Sequence, residues 1–279
     1  MHFIDQKIYS KIKKETSTNS PLVIDLRLDN YNKKPLFSLI IPVFQEHKII
    51  EKHLKIYTAE IKRKFNFELI VSDGGSNDGT IDIARKYADF LVIHNSNQRQ
   101  TIAEGRNNGA NISNSDTLVF INADTIPYDV DNFFKVISDF ALKIDKYKSY
   151  GALACYVSAF PDEQLLKDKI FYKLHNNYVR ILNKIGIGMG RGECQVIRKS
   201  DFIKAGKYNN QIVAGEDFDL YRRLSKISKI KFEKELHVTE SPRRFRKYGY
   251  IKTITYWLLN SLYVLFLKKS FSKEWEAVR

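Results

Sequence analysis

Two apolar runs in this chain stop abruptly at acidic and small residues, and that pattern decides most of what it can fold into. Residues 70–80 read IVSDGGSNDGT and residues 118–125 read LVFINADT, while an earlier run, FSLIIPV at 37–43, opens the series. A third acidic station, GEDFDL, stands at 215–220. Continuous apolar runs of this length are strands buried on both faces, as in parallel sheets. A buried strand that ends at a carboxylate delivers a rigid charged side chain to the crevice beyond the sheet's carboxyl edge, where open α/β sheets bind ligands.

The segments between the stations fit that reading. Residues 47–64 carry Ile49, Ile50, Leu54, Ile56, Tyr57 and Ile61 at helical spacing, and a strand is expected over 67–72. A helix started by Asp78 or Thr80 runs through Tyr87, a short strand follows at 90–94, and a helix over 101–110 carries Arg106. The strand 117–122 leads into the second station. This alternation predicts an α/β fold with a mixed, mainly parallel sheet flanked by helices and right-handed crossovers. The second half is less regular: a helix over 131–144, a strand over 150–158, a long helix over 168–185, and the glycine-rich GIGMGRG at 186–192. A strand at 194–198, a helix at 217–225 and a strand at 229–232 complete the pattern.

With 279 residues, 43% of them hydrophobic, the chain can bury a substantial core. The formal charge of +14 asks for an anionic partner: nucleic acid, lipid headgroups or a phosphorylated substrate. No nucleic-acid recognition motif accompanies it, so nucleic acid is not the expected partner. Two cysteines, Cys155 and Cys194, exclude a disulfide framework or a cysteine-rich zinc site and suit a reducing cytoplasm. Residues 1–35 are polar and lysine-rich up to Pro35, without the apolar core of a signal peptide, and read as a flexible or loosely docked extension. The α/β unit then occupies 36–240, and a basic, hydrophobic segment occupies 241–279. Within it, residues 248–267 read YGYIKTITYWLLNSLYVLFL, with Arg243, Arg244, Arg246 and Lys247 before and Lys268 and Lys269 after. A spanning helix needs about 20 mostly apolar residues, and Lys252 and Asn260 interrupt this one. A core helix and a span are both alternatives; the preferred reading is a helix at the membrane interface, its cationic flanks on anionic headgroups.

Asp73 can accept a hydrogen bond from a ligand N–H or hydroxyl, and Gly74 and Gly75 let backbone approach closely. The same residues also make an ordinary turn and helix cap. Taken in order, SLIIPVFQE at 38–46, VSDGGSNDGT at 71–80, EGRNNGA at 104–110, FINADT at 120–125 and GEDFDL at 215–220 give a chain that resembles the family-two glycosyltransferases with a GT-A fold. The match is closer to a bacterial subgroup with a HADT-like metal motif and an SxRRxxxxG element before a hydrophobic C-terminal helix; here that element is SPRRFRKYG at 241–249. A nucleotidyltransferase would place a glycine-rich, lysine-containing loop after the first strand, where PVFQEHK stands instead.

The resemblance implies inverting transfer of a sugar from a nucleotide diphosphate donor. It assigns donor binding to Pro42, Val43, Glu46, Asp73, Arg106, Asn122, Ala123 and Asp124, with Arg106 as the cation facing the nucleotide. Asp124 would hold Mg²⁺ or Mn²⁺; Asn122 replaces the first acid of the family's Asp-x-Asp motif and removes one charge. Asp217 would be the general base, held ionised by its helix N-terminus, and Glu216 would orient the acceptor or a loop. Gly190, Arg191, Arg243 and Arg244 would meet the acceptor or the diphosphate, and His237 would be a further metal ligand. Each assignment has a plainer alternative: a solvated arginine, acids that merely start a helix, a mobile surface loop, a structural histidine. The C-terminal helix points to a lipid, lipid-linked saccharide or cell-envelope glycan as acceptor and to a peripheral place on the inner face of the membrane. A second function, a non-catalytic sugar-nucleotide-binding protein that keeps the pocket, is favoured by Asn122.

Overall fold

The computed structural model describes residues 20–27 and 34–267. Among the described residues nine strands form one sheet in the order β1-β4-β3-β2-β5-β8-β7-β9-β6. At its centre β4 (Phe90–Ile93), β3 (Phe67–Asp73), β2 (Phe37–Val43) and β5 (Thr117–Ile121) run parallel, every residue of β3 and β5 buried. The register pairs Val43 with Asp73, so the first two parallel strands end together and their last residues share one edge of the sheet. β8 (Cys194–Arg198) lies antiparallel to β5, and β7 (Tyr150–Ala159), β9 (Lys229–Glu240) and β6 (Ile126–Pro127) extend the sheet beyond it.

Helices cover both faces. On one, α1 (His47–Leu54), α2 (Ala59–Phe65) and α5 (Val130–Ala141) pack over β2 and β3. Phe134 of α5 stacks on Phe67 with ring centroids 4.7 Å apart, and Phe37 stacks on Phe67 at 5.0 Å. Aromatic burial of this kind contributes about 1.5–3 kcal/mol per side chain. α3 (Thr80–Ala84) packs beside α1. On the other face, α4 (Ile102–Ile112), α7 (Lys199–Lys204) and α8 (Glu216–Leu224) place Ala103, Ala110, Phe202 and Leu224 against the sheet. α6 (Leu166–Lys184) flanks β7 and β9. The described residues end in α9 (Arg243–Tyr248) and α10 (Tyr250–Leu267).

Four expectations change. The helix expected over 47–64 is two, because Thr58 adopts extended backbone and its hydroxyl accepts from the Ile61 amide at 3.2 Å, starting a new helix. The first 35 residues are not all loosely docked: Leu22–Asp25 form β1, antiparallel to β4, while residues 1–19 and 28–33 lie outside the described residues. β9 runs on to Glu240 rather than ending at Phe232, and pairs with β7 through Ala159. Charged residues in KFEKELHVTE hide the alternation of this strand. Finally, the C-terminal segment packs one side onto the fold: Phe245 of α9 joins the main core, Tyr250 and Trp257 of α10 lie partly buried against it, and the Asn260 amide donates to the Ala214 carbonyl at 2.7 Å. Lys268 and Lys269 lie outside the described residues. Among the described residues no helix is long and apolar enough to cross a membrane.

Candidate active site

A cleft of about 590 Å³ opens beyond the carboxyl ends of β2 and β5. Pro42, Val43 and Glu46 border it from β2 and the turn after it, and Asn122, Ala123 and Asp124 border it from the end of β5. The Asn122 amide donates to the Glu193 carbonyl at 3.2 Å, which ties the second station to the residue just before β8. Glu216 and Asp217 enter at the start of α8, Gly190 and Arg191 from the glycine-rich loop, and Arg243 and Arg244 from α9. Residues spread over two hundred positions of sequence therefore meet around one space.

Asp73 does not itself line the cleft, which its neighbour Gly74 borders, and it is fully buried. Its Oδ1 accepts from the Gly75 and Ser76 amides, both at 2.8 Å, while Oδ2 has no protein partner. A buried carboxylate oxygen without a donor is costly unless a ligand supplies one. The rest of that station is scaffolding: Ser76, Thr80 and Asp78 accept from the amides of Gln45, Glu46 and His47, at 2.8, 2.9 and 3.1 Å, and so satisfy the start of α1.

The structure differs from expectation at both central arginines. Arg106 is buried; its Nη1 donates to Glu216 Oε1 at 2.7 Å, and its Nη2 donates to Asn122 Oδ1 at 3.0 Å and to the Gly192 carbonyl at 2.8 Å. It clasps β5, the glycine-rich loop and α8 together, its charge paired with Glu216 where it borders the cleft. Glu216 accordingly holds Arg106. Arg191 is equally buried and forks onto Glu193, with Nη2 at 2.8 Å and Nε at 3.2 Å. Burial opposes the Glu193 charge, and Arg191 more than offsets it, bringing the carboxyl down to about 2. Glu240 lies 3.6 Å from Arg191 and accepts from the Tyr172 hydroxyl at 3.0 Å; burial and the Glu193 carboxylate push its pKa well up. Among the arginines that border the cleft, Arg243 lies 3.4 Å from Asp124, both side chains partly exposed at 37% and 45%.

Asp217 sits half-buried at the head of α8, where its Oδ1 accepts from the Phe218 amide at 2.8 Å. The helix N-terminus does not hold it at an ordinary carboxylate value. Burial, then the neighbouring Glu216 carboxylate, push it up to about 7, and Arg106 only partly offsets them.

His237 does not line the cleft. Its ring stacks on Tyr128 with centroids 4.3 Å apart, its Nε2 is 2.8 Å from Ser158 Oγ, and burial lowers its pKa to about 4. It is not placed to join Asp124 on a metal. Among the described residues no group of three His, Cys, Asp or Glu is arranged to enclose an ion. Asn122 turns its oxygen to Arg106, so that within the 122–124 motif Asp124 is left as the hard-oxygen ligand, beside Arg243. One carboxylate suffices for a Mg²⁺-like ion that takes its other ligands from substrate phosphates and water, so the residues fit a metal carried in with a diphosphate.

The glycine-rich loop is not the mobile surface loop of the plainer alternative. A Cβ on Gly190 would overlap the Tyr221 ring, and Gly188 holds a φ of +84° against the Tyr221 carbonyl. The Asn183 side chain bonds both the amide and the carbonyl of Met189, at 2.9 and 2.8 Å. The loop is therefore packed against α8 rather than free to fold over a ligand. Because Tyr221 is buried and its hydroxyl donates to the Leu153 carbonyl at 2.6 Å, the ring has little room to retreat. Gly190→Ala is expected to cost about 1–3 kcal/mol, read as a lower melting temperature; an unchanged melting curve would mean the loop can shift.

Several lining residues gave no signal in the sequence: Glu193, Glu240, His175, and Tyr256, Trp257 and Asn260 from the inner side of α10. Only their nearness to the glycine-rich loop and the SPRR element could have pointed to them.

The sequence pattern of glycosyl transferase family 2 matches residues 38–205, more than half of the chain. The chain belongs to glycosyl transferase family 2. Its relatives include glycosyltransferase AglE of Haloferax volcanii, 36% identical over 97 residues, which are 34% of this chain and 32% of AglE. Another is the PGL/p-HBAD biosynthesis glycosyltransferase of Mycobacterium tuberculosis H37Rv, 31% identical over 106 residues, 37% of this chain and 40% of that protein. The chain thus spans about a third to two fifths of the length of these curated relatives. Among solved structures, the Pyrobaculum calidifontis mannosyltransferase PcManGT, in complex with GDP-Man and Mn²⁺, is similar with a TM-score of 0.57 at 15% identity, covering 90% of this chain and 69% of that one. S. aureus TarS in complex with UDP-GlcNAc is similar at 0.52 and 16%, covering 82% and 73%. These likenesses are of fold: this family-2 chain has the mixed α/β architecture of GT-A enzymes.

Proposed function

We propose that this family-2 protein is an inverting glycosyltransferase that moves a sugar from a nucleotide diphosphate donor to an acceptor hydroxyl. The observation that carries the reading is that Asp124 and Asp217, 93 positions apart, line one cleft, with Asp217 poised near neutrality. A carboxylate with a pKa near 7 is matched to accepting a hydroxyl proton at physiological pH. Asp217 takes that proton as the acceptor oxygen attacks the sugar and the nucleotide diphosphate departs from the opposite face. Arg243 supplies positive charge where the diphosphate accumulates negative charge, and the partnerless Asp73 oxygen marks where a base or ribose donor would settle. Asp124 would hold Mg²⁺ or Mn²⁺, which as a Lewis acid neutralises the leaving diphosphate. The PcManGT complex with GDP-Man and Mn²⁺ supports such an ion here.

The acceptor class in this reading is a lipid, a lipid-linked saccharide or a cell-envelope glycan, reached by a protein held peripherally at the cytoplasmic face of the membrane. The division follows: a catalytic unit over 36–240 and a membrane-associating segment over 241–279, as in the subgroup with the HADT-like motif and SxRRxxxxG element. α10 supports it, since Tyr256, Trp257 and Asn260 line the cleft while Ile251 on the same helix is 82% exposed. Purified protein incubated with a panel of UDP- and GDP-sugars is expected to hydrolyse or transfer one of them, and chelation by EDTA to slow that reaction about tenfold or more. Donor binding by thermal shift with no turnover across a broad acceptor panel would instead favour the sugar-nucleotide-binding reading, to which Asn122 lends its support. An unchanged rate in EDTA would remove the ion and leave Arg243 as the cation at the diphosphate.

A further inference from the structure

The long helix α6 carries an apolar stripe that nothing in the cleft chemistry uses. Leu166, Ile170, Leu174, Tyr178, Ile181 and Ile185 are all exposed, Leu166 at 73% and Leu174 at 65%. At 100° per residue these six positions fall within about a third of the helix circumference and extend over about 28 Å. A stripe this long on an exposed helix face is an interaction surface rather than scattered surface apolarity. Lys167 lies within it, and Lys169, Lys173, Arg180 and Lys184 form the flank along its edge; all five are exposed. The one acid of the helix, Asp168, is buried and paired with Arg246 at 2.7 Å, and the Tyr250 hydroxyl also bonds it. The exposed side of α6 therefore presents apolar and cationic residues with no acid.

The edge opposite the cationic flank meets α10. Phe171 contacts Tyr250 with ring centroids 5.3 Å apart, and His175 contacts Trp257 at the same distance. Beyond that seam α10 exposes Ile251, Ile254 and Leu258. The two helices are thus held side by side by aromatic packing, each leaving apolar side chains open to the outside.

We infer that α6 and α10 together form a docking surface for an anionic lipid bilayer, α6 contributing most of the apolar contact and the cationic flank that meets the headgroups. The inference rests on the peripheral-membrane part of the reading above and extends it to a helix outside the C-terminal segment. Charge complementarity selects the occupant: a broad apolar stripe edged by cations alone matches the boundary between acyl chains and anionic headgroups. Because α10 also walls the cleft, the bilayer would lie against the same helix that borders the site.

The test is flotation of the full chain with vesicles of phosphatidylcholine, and of phosphatidylcholine containing about one third phosphatidylglycerol. The wild type is expected to float with the anionic vesicles and weakly or not at all with the neutral ones. Ile170→Ser, Leu174→Ser and Ile181→Ser combined are expected to reduce partitioning about a hundredfold, and Lys169→Glu with Lys173→Glu and Lys184→Glu to abolish the preference for anionic lipid. Thermal shift with the donor sugar nucleotide should be unchanged in both, since none of these residues lines the cleft. If the serine variant floats as the wild type does, α6 is not the docking helix; if at the same time Ile251→Ser with Leu258→Ser no longer floats, α10 alone holds the membrane. A wild type that ignores vesicles but forms a dimer broken by the serine variant would put a second copy of the chain on this surface and overturn the lipid assignment. Loss of donor binding in the wild type, with flotation intact, would sink the transferase reading and leave this one standing.

Discussion

Asp217→Asn is expected to lower the transfer rate by about a thousandfold while leaving donor affinity and folding intact. The amide keeps the shape of the carboxyl and can still meet the Phe218 amide through its oxygen, but it cannot take a proton from an acceptor hydroxyl. Its effect on stability should have the opposite sign. The folded-state pKa of Asp217 is raised from an ordinary carboxylate value to about 7, so below pH 4 the group costs nothing and between pH 4 and 7 the native state loses stability as pH rises. Above pH 7 that cost is fully present, and the neutral amide removes it along with the repulsion from Glu216. The melting temperature at pH 8 should therefore rise or hold while turnover collapses. In the wild type, log kcat should climb with pH and level off near 7, and that limb should be missing from the residual activity of the variant. A variant that transfers sugar at the wild-type rate, with the same pH limb, would strip Asp217 of the base role.

The positions that meet in the cleft were legible in the sequence because buried strands advertise themselves. An apolar run that stops at SDGG or at NADT reports both the strand and the end at which its polar residues emerge, and parallel pairing then aligns those ends. What was not legible is which charges are already spent. Arg106 and Glu216 are 110 positions apart, and no local pattern says that one neutralises the other. Arg191 looks like a free cation in a flexible loop until Glu193 and Glu240 are seen beside it. The glycines misled for a related reason: GIGMGRG suggests backbone freedom, whereas Gly190 is small because Tyr221 occupies the space a side chain would need. His237 shows the reverse error, since a histidine near a strand end carries no mark of the aromatic rings that enclose it. Local sequence reports conformation well and long-range electrostatic pairing hardly at all.

Arg106→Met should follow from that pairing with the largest stability effect of any single change in the site. The substitution leaves the Glu216 carboxylate buried, with a side-chain exposure of 8%, and without its 2.7 Å partner. It also removes the donor to Asn122 and to the Gly192 carbonyl. Breaking one side of a buried ion pair typically costs about 3–5 kcal/mol, which for a chain of this size lowers the melting temperature by roughly 10 °C. Replacing both partners separates charge from geometry. Arg106→Met combined with Glu216→Leu removes the stranded carboxylate and should recover most of the lost stability, because two apolar side chains tolerate burial that one lone charge does not. Activity should not return with it, since Asn122 and the glycine-rich loop still lack the clasp that fixes them beside Asp124 and Asp217. A further readout excludes a purely structural role. Arg106 holds the Asp217 pKa down, so in whatever fraction of Arg106→Met stays folded the rising limb of the pH–rate profile should move to higher pH. A single variant as stable as the wild type, or a pH limb that does not move, would mean that Arg106 neither pairs with Glu216 in solution nor sets the field at Asp217.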